Sequence, residues 1–244
     1  MKVRDMVFLH GWGFSAAVWD ELAARLAPRF RAHVPDLPGY GAMPACSPYT
    51  LNAVADAVAR TAPRRCHVVG WSLGGEVALA WARRAPRQVQ RLALIGTTPC
   101  FARRPGWPCA TAPAVLQEFG RALAEDRAGT LARFVGAQVK GDARARRFSG
   151  AQQGAIGKNV SDTVLAAGLT VLSRTDLRGK LFRVPQPALV LHGAHDRIVP
   201  PAAGRRLAML LPDARFSLLR SCAHAPFLSR PEQVAKMLRA FFDE

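Results

Sequence analysis

Ser72 lies in the motif GWSLGG at residues 70–75, between an apolar run that predicts a β-strand and a run that predicts a helix. A serine hydroxyl is a weak nucleophile unless a sharp turn holds it clear of its neighbours and beside a base. Glycines on both sides permit the strained backbone and close packing of such a turn. The motif therefore predicts that Ser72 is a catalytic nucleophile. A helix-capping serine in an ordinary glycine-rich turn is the alternative.

An acid and a base for this serine follow later in the chain, each after a predicted strand. Asp196 comes after the apolar run at residues 188–193, and His224 comes after a short strand at residues 216–219. The order serine, acid, histidine is the order that goes with this kind of strand-to-helix turn. We therefore expect His224 to take the proton of Ser72 and return it to the leaving group, while Asp196 orients the imidazole and stabilises its charged form.

The two donors of an oxyanion hole can also be located. One donor is the backbone N–H of the residue after the nucleophile, here Leu73, and the other comes from a loop after an earlier strand. The motif HGWG at residues 10–13 supplies that loop, so we expect Trp12 N–H as the second donor and its indole in the acyl pocket. Each such donor is typically worth about 3 to 4 kcal/mol of transition-state stabilisation. The alternative is that Trp12 is only a core aromatic residue.

Composition limits the class of protein. A chain of 244 residues with 50% hydrophobic content can bury the core of one complete domain. The first residues lead directly into a predicted strand without a signal-peptide pattern, and no run of about twenty apolar residues follows. The five cysteines are odd in number and lack metal-ligand spacing. We therefore expect a cytoplasmic monomer that uses no metal, no cofactor and no membrane.

The elements that position the site residues alternate between strand and helix. Such alternation predicts an α/β fold with a mostly parallel sheet and helices on both faces. It stops between about residues 101 and 185, where helical periodicity continues without a convincing strand. The sequence therefore predicts a core at residues 1–109 and 186–244, with a helical lid inserted at residues 110–185.

The chain is strongly basic. It carries 34 Lys and Arg against 17 Asp and Glu, a formal net charge of +17, and residues 100–186 alone contain 14 basic against 6 acidic residues. Strong basicity is typical of nucleic-acid-binding proteins, but no helix-turn-helix, zinc-finger or aromatic RNA-binding signature accompanies it. Nucleic acid is therefore disfavoured as a partner. A basic lid also raises the rate of encounter with an acidic protein partner.

Four motifs in the core resemble those of the α/β-hydrolase superfamily. They are HGWG at residues 10–13, DLPGYG at 36–41, GWSLGG at 70–75 and GxxD at 193–196. The resemblance implies the α/β-hydrolase fold and a triad of Ser72, Asp196 and His224. Dehalogenases and epoxide hydrolases of this superfamily carry Asp at the position of Ser72, so their chemistry is disfavoured.

Further segments resemble the pimeloyl-acyl carrier protein methyl ester esterase family of biotin synthesis. They are TPCF at residues 98–101, WP at 107–108, RF at 133–134 followed by Gln138, TDLR at 175–178 and AHAPF at 223–227. The resemblance implies a serine carboxylesterase that removes the methyl group from the distal carboxylate of a pimeloyl chain carried on acyl carrier protein. Its products would be pimeloyl-acyl carrier protein and methanol.

The same resemblance implies how the substrate is bound. Besides Trp12, Ser72, Leu73 and His224, the acyl channel would be lined by five consecutive lid residues, Phe134, Val135, Gly136, Ala137 and Gln138. Acyl carrier protein is acidic and its prosthetic arm bears a phosphate, so lid arginines would contact it. The candidates are Arg133, which matches the family pattern, and Arg146 in the basic stretch that follows. Arginine suits this role because it binds phosphate and carboxylate in a bidentate manner.

Two other functions stay open at the level of sequence, because a shared fold does not fix a substrate. A generic carboxylesterase acting on short acyl esters would use the same triad without a carrier protein. A non-catalytic ligand-binding protein could also use the same scaffold, although the complete set of catalytic residues argues against it.

Overall fold

Six parallel strands form one sheet in a computed structural model that describes residues 4–27, 29–145, 156 and 160–244. Their order across the sheet is β2-β1-β3-β4-β5-β6, and every neighbouring pair is parallel. The strands are Arg4–Leu9 (β1), Phe30–His33 (β2), Cys66–Trp71 (β3), Val89–Ile95 (β4), Ala188–Gly193 (β5) and Ala214–Leu219 (β6). The predicted α/β fold with a mostly parallel sheet is confirmed.

The central strands explain where the site residues meet. Every residue of β3 and β5 is buried, as expected for parallel strands with both faces covered. Trp71 at the end of β3 pairs with Ile95 of β4, and Gly193 at the end of β5 pairs with Leu219 of β6. The carboxyl ends of these strands are therefore level, and the loops that follow them lie along one edge of the sheet.

Nine α-helices are assigned in the described part of the chain. They are Asp20–Leu26 (α1), Leu51–Thr61 (α2), Leu73–Arg84 (α3), Pro113–Glu125 (α4), Arg127–Val139 (α5), Asp162–Arg174 (α6), Pro201–Leu210 (α7), Pro226–Ser229 (α8) and Pro231–Phe242 (α9). None of the helices among these residues is both long and apolar enough to cross a membrane.

Helices α4, α5 and α6 lie between β4 and β5, and α4 packs against both of the others. Side chains fix where two of them begin, because Asp126 accepts a hydrogen bond from Gly129 N at 2.8 Å and Ser161 accepts one from Val164 N at 3.2 Å. Helix α6 contacts the loop after β1, because Trp12 Nε1 in that loop donates a hydrogen bond to the backbone oxygen of Leu165 in α6 at 2.9 Å. The exact division into core and lid, with residues 110–185 as the lid, stays a prediction.

Candidate active site

Ser72 occupies a strained turn between β3 and α3. Its backbone angles are φ 55° and ψ −119°, and it is the one non-glycine residue with positive φ in the described ranges. A Cβ atom at Gly70 would lie 2.5 Å from Gly74 O, and one at Gly74 would lie 2.2 Å from Leu9 O. Only glycine fits these two positions, so the sequence GWSLGG is what allows the strained serine to form.

The backbone of Ser72 is held at both ends. Its N–H donates to Ile95 O at 3.0 Å, and its carbonyl oxygen accepts a hydrogen bond from Thr97 Oγ1 at 2.7 Å. Both partners belong to β4 or the residues just after it, which places the turn firmly on the sheet. These bonds therefore hold the backbone of Ser72 in a conformation that is otherwise unfavourable.

His224 and Asp196 are in direct contact. His224 Nδ1 lies 2.8 Å from Asp196 Oδ2, and both side chains are buried. The other oxygen of Asp196 accepts hydrogen bonds from Ile198 N and Val199 N, each at 2.9 Å. Burial raises the pKa of Asp196, but the charge of His224 and the hydrogen bonds from His192 and His224 outweigh it, so that pKa lies below its ordinary value. The carboxylate is therefore charged at neutral pH.

The remaining ring nitrogen of His224 is free to act. Nε2 is buried and has no hydrogen-bond partner among the residues that the structure describes. The backbone of His224 is fixed on both sides, since its carbonyl oxygen accepts from Trp71 Nε1 at 3.0 Å and its N–H donates to Gln138 O at 3.1 Å. Because Trp71 precedes Ser72 directly, this contact ties the histidine loop to the strained turn. The arrangement suits an imidazole that accepts a proton at Nε2.

The two expected oxyanion donors lie on adjoining elements. The close approach of Gly74 to Leu9 O packs the start of α3 against the end of β1, and a Cβ at Gly11 would be 3.3 Å from the Cβ of Ser72. Within the described ranges, neither Trp12 N–H nor Leu73 N–H donates a hydrogen bond to another residue. These two N–H groups are therefore candidates for binding an oxyanion at Ser72.

An apolar cavity of about 160 Å³ opens beside Ser72. Trp12 and Phe134 line it, together with Phe119 from α4, which the sequence did not single out. The ring of Trp12 lies 5.5 Å from that of Phe119 and 5.3 Å from that of Phe134, both in edge-on geometry. Helix α6 contributes Leu169 to the same wall. The cavity can hold the hydrocarbon part of an acyl ester with its carbonyl at Ser72.

Of the five consecutive lid residues predicted to line the channel, one lines the cavity beside Ser72. Phe134 lines the cavity, whereas Val135 and Gln138 are buried elsewhere and Gly136 is exposed to solvent. Ala137 is half-buried and is not among the described residues that line the cavity. The reason is the 100° turn per residue of helix α5, which sends neighbouring side chains to different faces.

The predicted carrier-contact arginines are placed as follows. Arg133 is exposed on α5 and its guanidinium lies 3.4 Å from Asp126 and 2.8 Å from Thr130 Oγ1. Exposed pairs of this kind are weak, so Arg133 can exchange its partner for another anion. Arg146 lies outside the described residues.

Two further residues support the site without having been predicted. His192, in the middle of buried β5, has Nε2 3.1 Å from Asp196 Oδ2 and 2.9 Å from Val199 O. Asp142, just after α5, accepts hydrogen bonds from Arg144 N and Ala145 N through one oxygen, while the other lies 3.4 Å from Ala223 N. A polar residue in an otherwise apolar strand was the available signal for His192, and no local signal marks Asp142.

Comparison with known proteins agrees with this geometry. The model of the Alpha/beta hydrolase family matches residues 6–237. The pimeloyl-[acyl-carrier protein] methyl ester esterase of Aromatoleum aromaticum is 45% identical over 98% of this chain and 98% of its own, and that of Nitrosomonas europaea is 42% identical over 94% and 92%. An esterase from Exiguobacterium antarcticum shares the fold, with a TM-score of 0.90 over 99% of this chain and 92% of its own at 21% identity.

These matches confirm both resemblances seen in the sequence. The structural similarity to solved proteins supports the fold, and the sequence similarity to the curated relatives extends over nearly the whole chain. The chain therefore belongs to the Alpha/beta hydrolase family and, within it, to the family of the pimeloyl-[acyl-carrier protein] methyl ester esterases.

Proposed function

We propose that the protein is a serine carboxylesterase that hydrolyses the methyl ester of pimeloyl-acyl carrier protein, releasing methanol and pimeloyl-acyl carrier protein. The observation that carries this proposal is the 45% identity, over 98% of both chains, to a relative with that name. The apolar cavity beside Ser72 supports it, since the substrate presents a methyl ester at the end of a hydrocarbon chain.

The proposed chemistry uses the serine turn and the buried pair of His224 and Asp196. Ser72 Oγ attacks the ester carbonyl carbon while His224 Nε2 takes its proton, and Asp196 stabilises the imidazolium that forms. The oxyanion receives hydrogen bonds from Trp12 N–H and Leu73 N–H. The imidazolium then gives its proton to the methoxy oxygen, so methanol leaves and the acyl group stays on Ser72. A water molecule, deprotonated by His224, attacks the acyl-enzyme and releases the free carboxylate and Ser72.

The lid is the proposed contact with the carrier protein. Its exposed Arg133 is held only by a weak surface pair, and acyl carrier protein offers carboxylates and a phosphate. Arg146 is proposed for the same role from its place in the sequence. We further propose that the protein is a monomer and is located in the cytoplasm. The five unpaired cysteines support the second point, since thiols stay reduced in that compartment. Light scattering of the purified protein tests the monomer.

The test is intact-mass analysis of pimeloyl-acyl carrier protein methyl ester after incubation with the protein. We expect the carrier to lose the mass of one methylene group, and Ser72→Ala to leave it unchanged while keeping the native melting temperature. An unchanged carrier, from a protein that still cleaves short synthetic esters, would instead assign a generic carboxylesterase. A folded protein that cleaves neither substrate would assign a binding protein.

A further inference from the structure

Arg197 introduces a charge into an otherwise uncharged cavity. It lines the same cavity as Ser72 and Trp12, and no other charged side chain lines it in the part of the chain that the structure describes. Arg197 is exposed, and its side chain forms no ion pair or hydrogen bond with the described residues. A guanidinium at the wall of an apolar cavity is therefore available to a ligand.

The backbone that carries Arg197 is fixed. The preceding residue, Asp196, accepts hydrogen bonds from Ile198 N and Val199 N at 2.9 Å each, which closes a tight turn around Arg197. Ile198 lines the cavity as well. The turn that holds Asp196 beside His224 therefore also fixes the backbone position from which the Arg197 side chain extends.

A cavity of this kind recognises a chain with two different ends. Its apolar walls, which include Phe119, Phe134 and Leu169, accept methylene groups, while Ser72 requires an ester carbonyl. A guanidinium offers several N–H donors in one plane and binds carbonyl or carboxylate oxygens. A simple fatty ester satisfies the walls and the nucleophile but gives Arg197 nothing to bind.

We propose that Arg197 is a specificity-determining residue that binds the oxygen atoms at the far end of the substrate's acyl chain. The ligand class is a monoester of an aliphatic dicarboxylic acid, whose second carboxyl group is a thioester carbonyl or a free carboxylate. This inference rests on the proposed function, because a pimeloyl chain on a carrier has a methyl ester at one end and a thioester carbonyl at the other. Arg197 thereby selects two-ended substrates over fatty acid esters of equal length.

The test compares three methyl esters of the same chain length with the wild type and Arg197→Met. Monomethyl pimelate carries a carboxylate at the far end, its N-acetylcysteamine thioester carries a neutral carbonyl, and methyl heptanoate carries a methyl group. We expect Arg197→Met to lower kcat/KM about tenfold for the carboxylate, about threefold for the thioester and less than twofold for methyl heptanoate, since a charged acceptor binds a guanidinium more strongly than a neutral one. The control Arg64→Met removes the same charge from an exposed residue just before β3, at the opposite end of that strand.

Each outcome decides the proposal. A selective loss on the two-ended esters supports it, and the relative size of the two losses shows whether carboxylate or thioester oxygen is the better ligand. Equal losses on all three esters, or a loss no larger than with Arg64→Met, would overturn it. The kcat/KM values for the small esters measure the effect of Arg197 even if the wild type leaves the carrier-linked ester intact. Failure of this inference can therefore be distinguished from failure of the proposed function.

Discussion

His192 Nε2 lies 3.1 Å from Asp196 Oδ2, so the acid that orients His224 is itself contacted by a second histidine. Both side chains are fully buried, and His192 Nε2 also lies 2.9 Å from Val199 O. The Nε2–H group of His192 is therefore within hydrogen-bond distance of two acceptors, the Asp196 carboxylate and the Val199 carbonyl. Both histidines therefore contact the same oxygen of the carboxylate.

His192→Phe removes that donor and leaves two buried acceptors without it. Loss of a hydrogen bond to a charged group costs about 1.5 to 3 kcal/mol, so we expect kcat on p-nitrophenyl butyrate to fall about tenfold and the protein to melt at a lower temperature. His192→Gln keeps an N–H donor and should retain most of the activity. If His192→Phe is as active as the wild type, then His192 does not position the acid.

Asp142→Asn tests the connection between α5 and the histidine loop. The amide oxygen can still accept from Arg144 N and Ala145 N, but an NH₂ group then faces Ala223 N, so the turn is kept and the contact to the loop is lost. We expect kcat on a small neutral ester to fall about fivefold with KM unchanged, since the bond to Ala223 N is lost and the ion pair with Arg230 is weakened.

The matched control for this change is Asp126→Asn. Asp126 accepts a hydrogen bond from Gly129 N at the opposite end of α5, away from the histidine loop. Its substitution should leave kcat within about twofold of the wild type. Equal effects of the two substitutions would mean that Asp142 acts only by stabilising α5.

Trp12→Phe separates the two roles of Trp12. The backbone N–H proposed to bind the oxyanion is kept, while the indole contact to Leu165 O and part of the cavity wall are lost. We expect KM for an acyl ester to rise about fivefold and kcat to change less than about threefold, the signature of lost ground-state binding. Trp19→Phe, at a buried tryptophan stacked on Phe227 outside the cavity, should leave KM unchanged. A large loss of kcat with unchanged KM contradicts this division.

His67 makes folding stability depend on pH. Burial, with the nearby charges of Arg4 and Arg91, lowers its pKa to about 4 from an ordinary value of 6.5. The unfolded chain therefore binds a proton that the folded protein does not, and the stability is present above pH 6.5 and lost as the pH falls toward 4. At pH 4.5 this loss amounts to about 2 to 3 kcal/mol.

His67→Phe should remove this part of the acid sensitivity. Neither ring nitrogen of His67 has a hydrogen-bond partner among the described residues, and the ring lies 4.8 Å from Phe242, so a phenyl ring is compatible with its surroundings. Urea unfolding at pH 7 and pH 4.5 measures the difference. A variant that loses as much stability as the wild type between these two pH values would show that other groups are responsible.

Arg133→Ala tests the proposed carrier contact. At low salt we expect KM for the carrier-linked ester to rise about three- to fivefold, because the two proteins attract each other less, while a small neutral ester is unaffected. In the wild type, only the reaction with the carrier-linked ester should weaken as ionic strength rises. Arg64→Ala is the charge-matched control. Identical salt dependence for both substrates would rule out charge-steered docking.

The positions of Ser72 and Asp196 in the fold could be predicted because each follows a strand that is apolar and buried throughout. Buried apolar runs end at Ser72 and just before Asp196, and parallel strands bring their carboxyl ends together regardless of the sequence between them. The proposal of Trp12 N–H and Leu73 N–H as oxyanion donors rests on the same strand order. Local pattern and global fold agree at these positions, which is the condition for reading a site from sequence.

The substrate-binding residues were harder to predict, because they depend on helix rotation and on packing between distant segments. Phe134 faces the cavity while its neighbour Val135 does not, and Phe119 completes the wall from another helix. Arg197 follows the acid in an exposed turn, where nothing in the sequence distinguishes it from the other arginines. The contacts of Phe119 and Phe134 depend on how α4 and α5 pack against each other, and the hydrophobic periodicity of each helix does not specify that packing.

The order of the catalytic residues along the chain has a consequence for synthesis on the ribosome. Ser72 and the strained turn belong to a segment that emerges early, whereas Asp196 and His224 follow α6 and sit next to β6 at the edge of the sheet. A domain generally folds as a unit, so its sheet is complete only when all of its strands have been made. A nascent chain therefore carries the serine before the acid and the base have been made, and the proposed triad is complete only after β6.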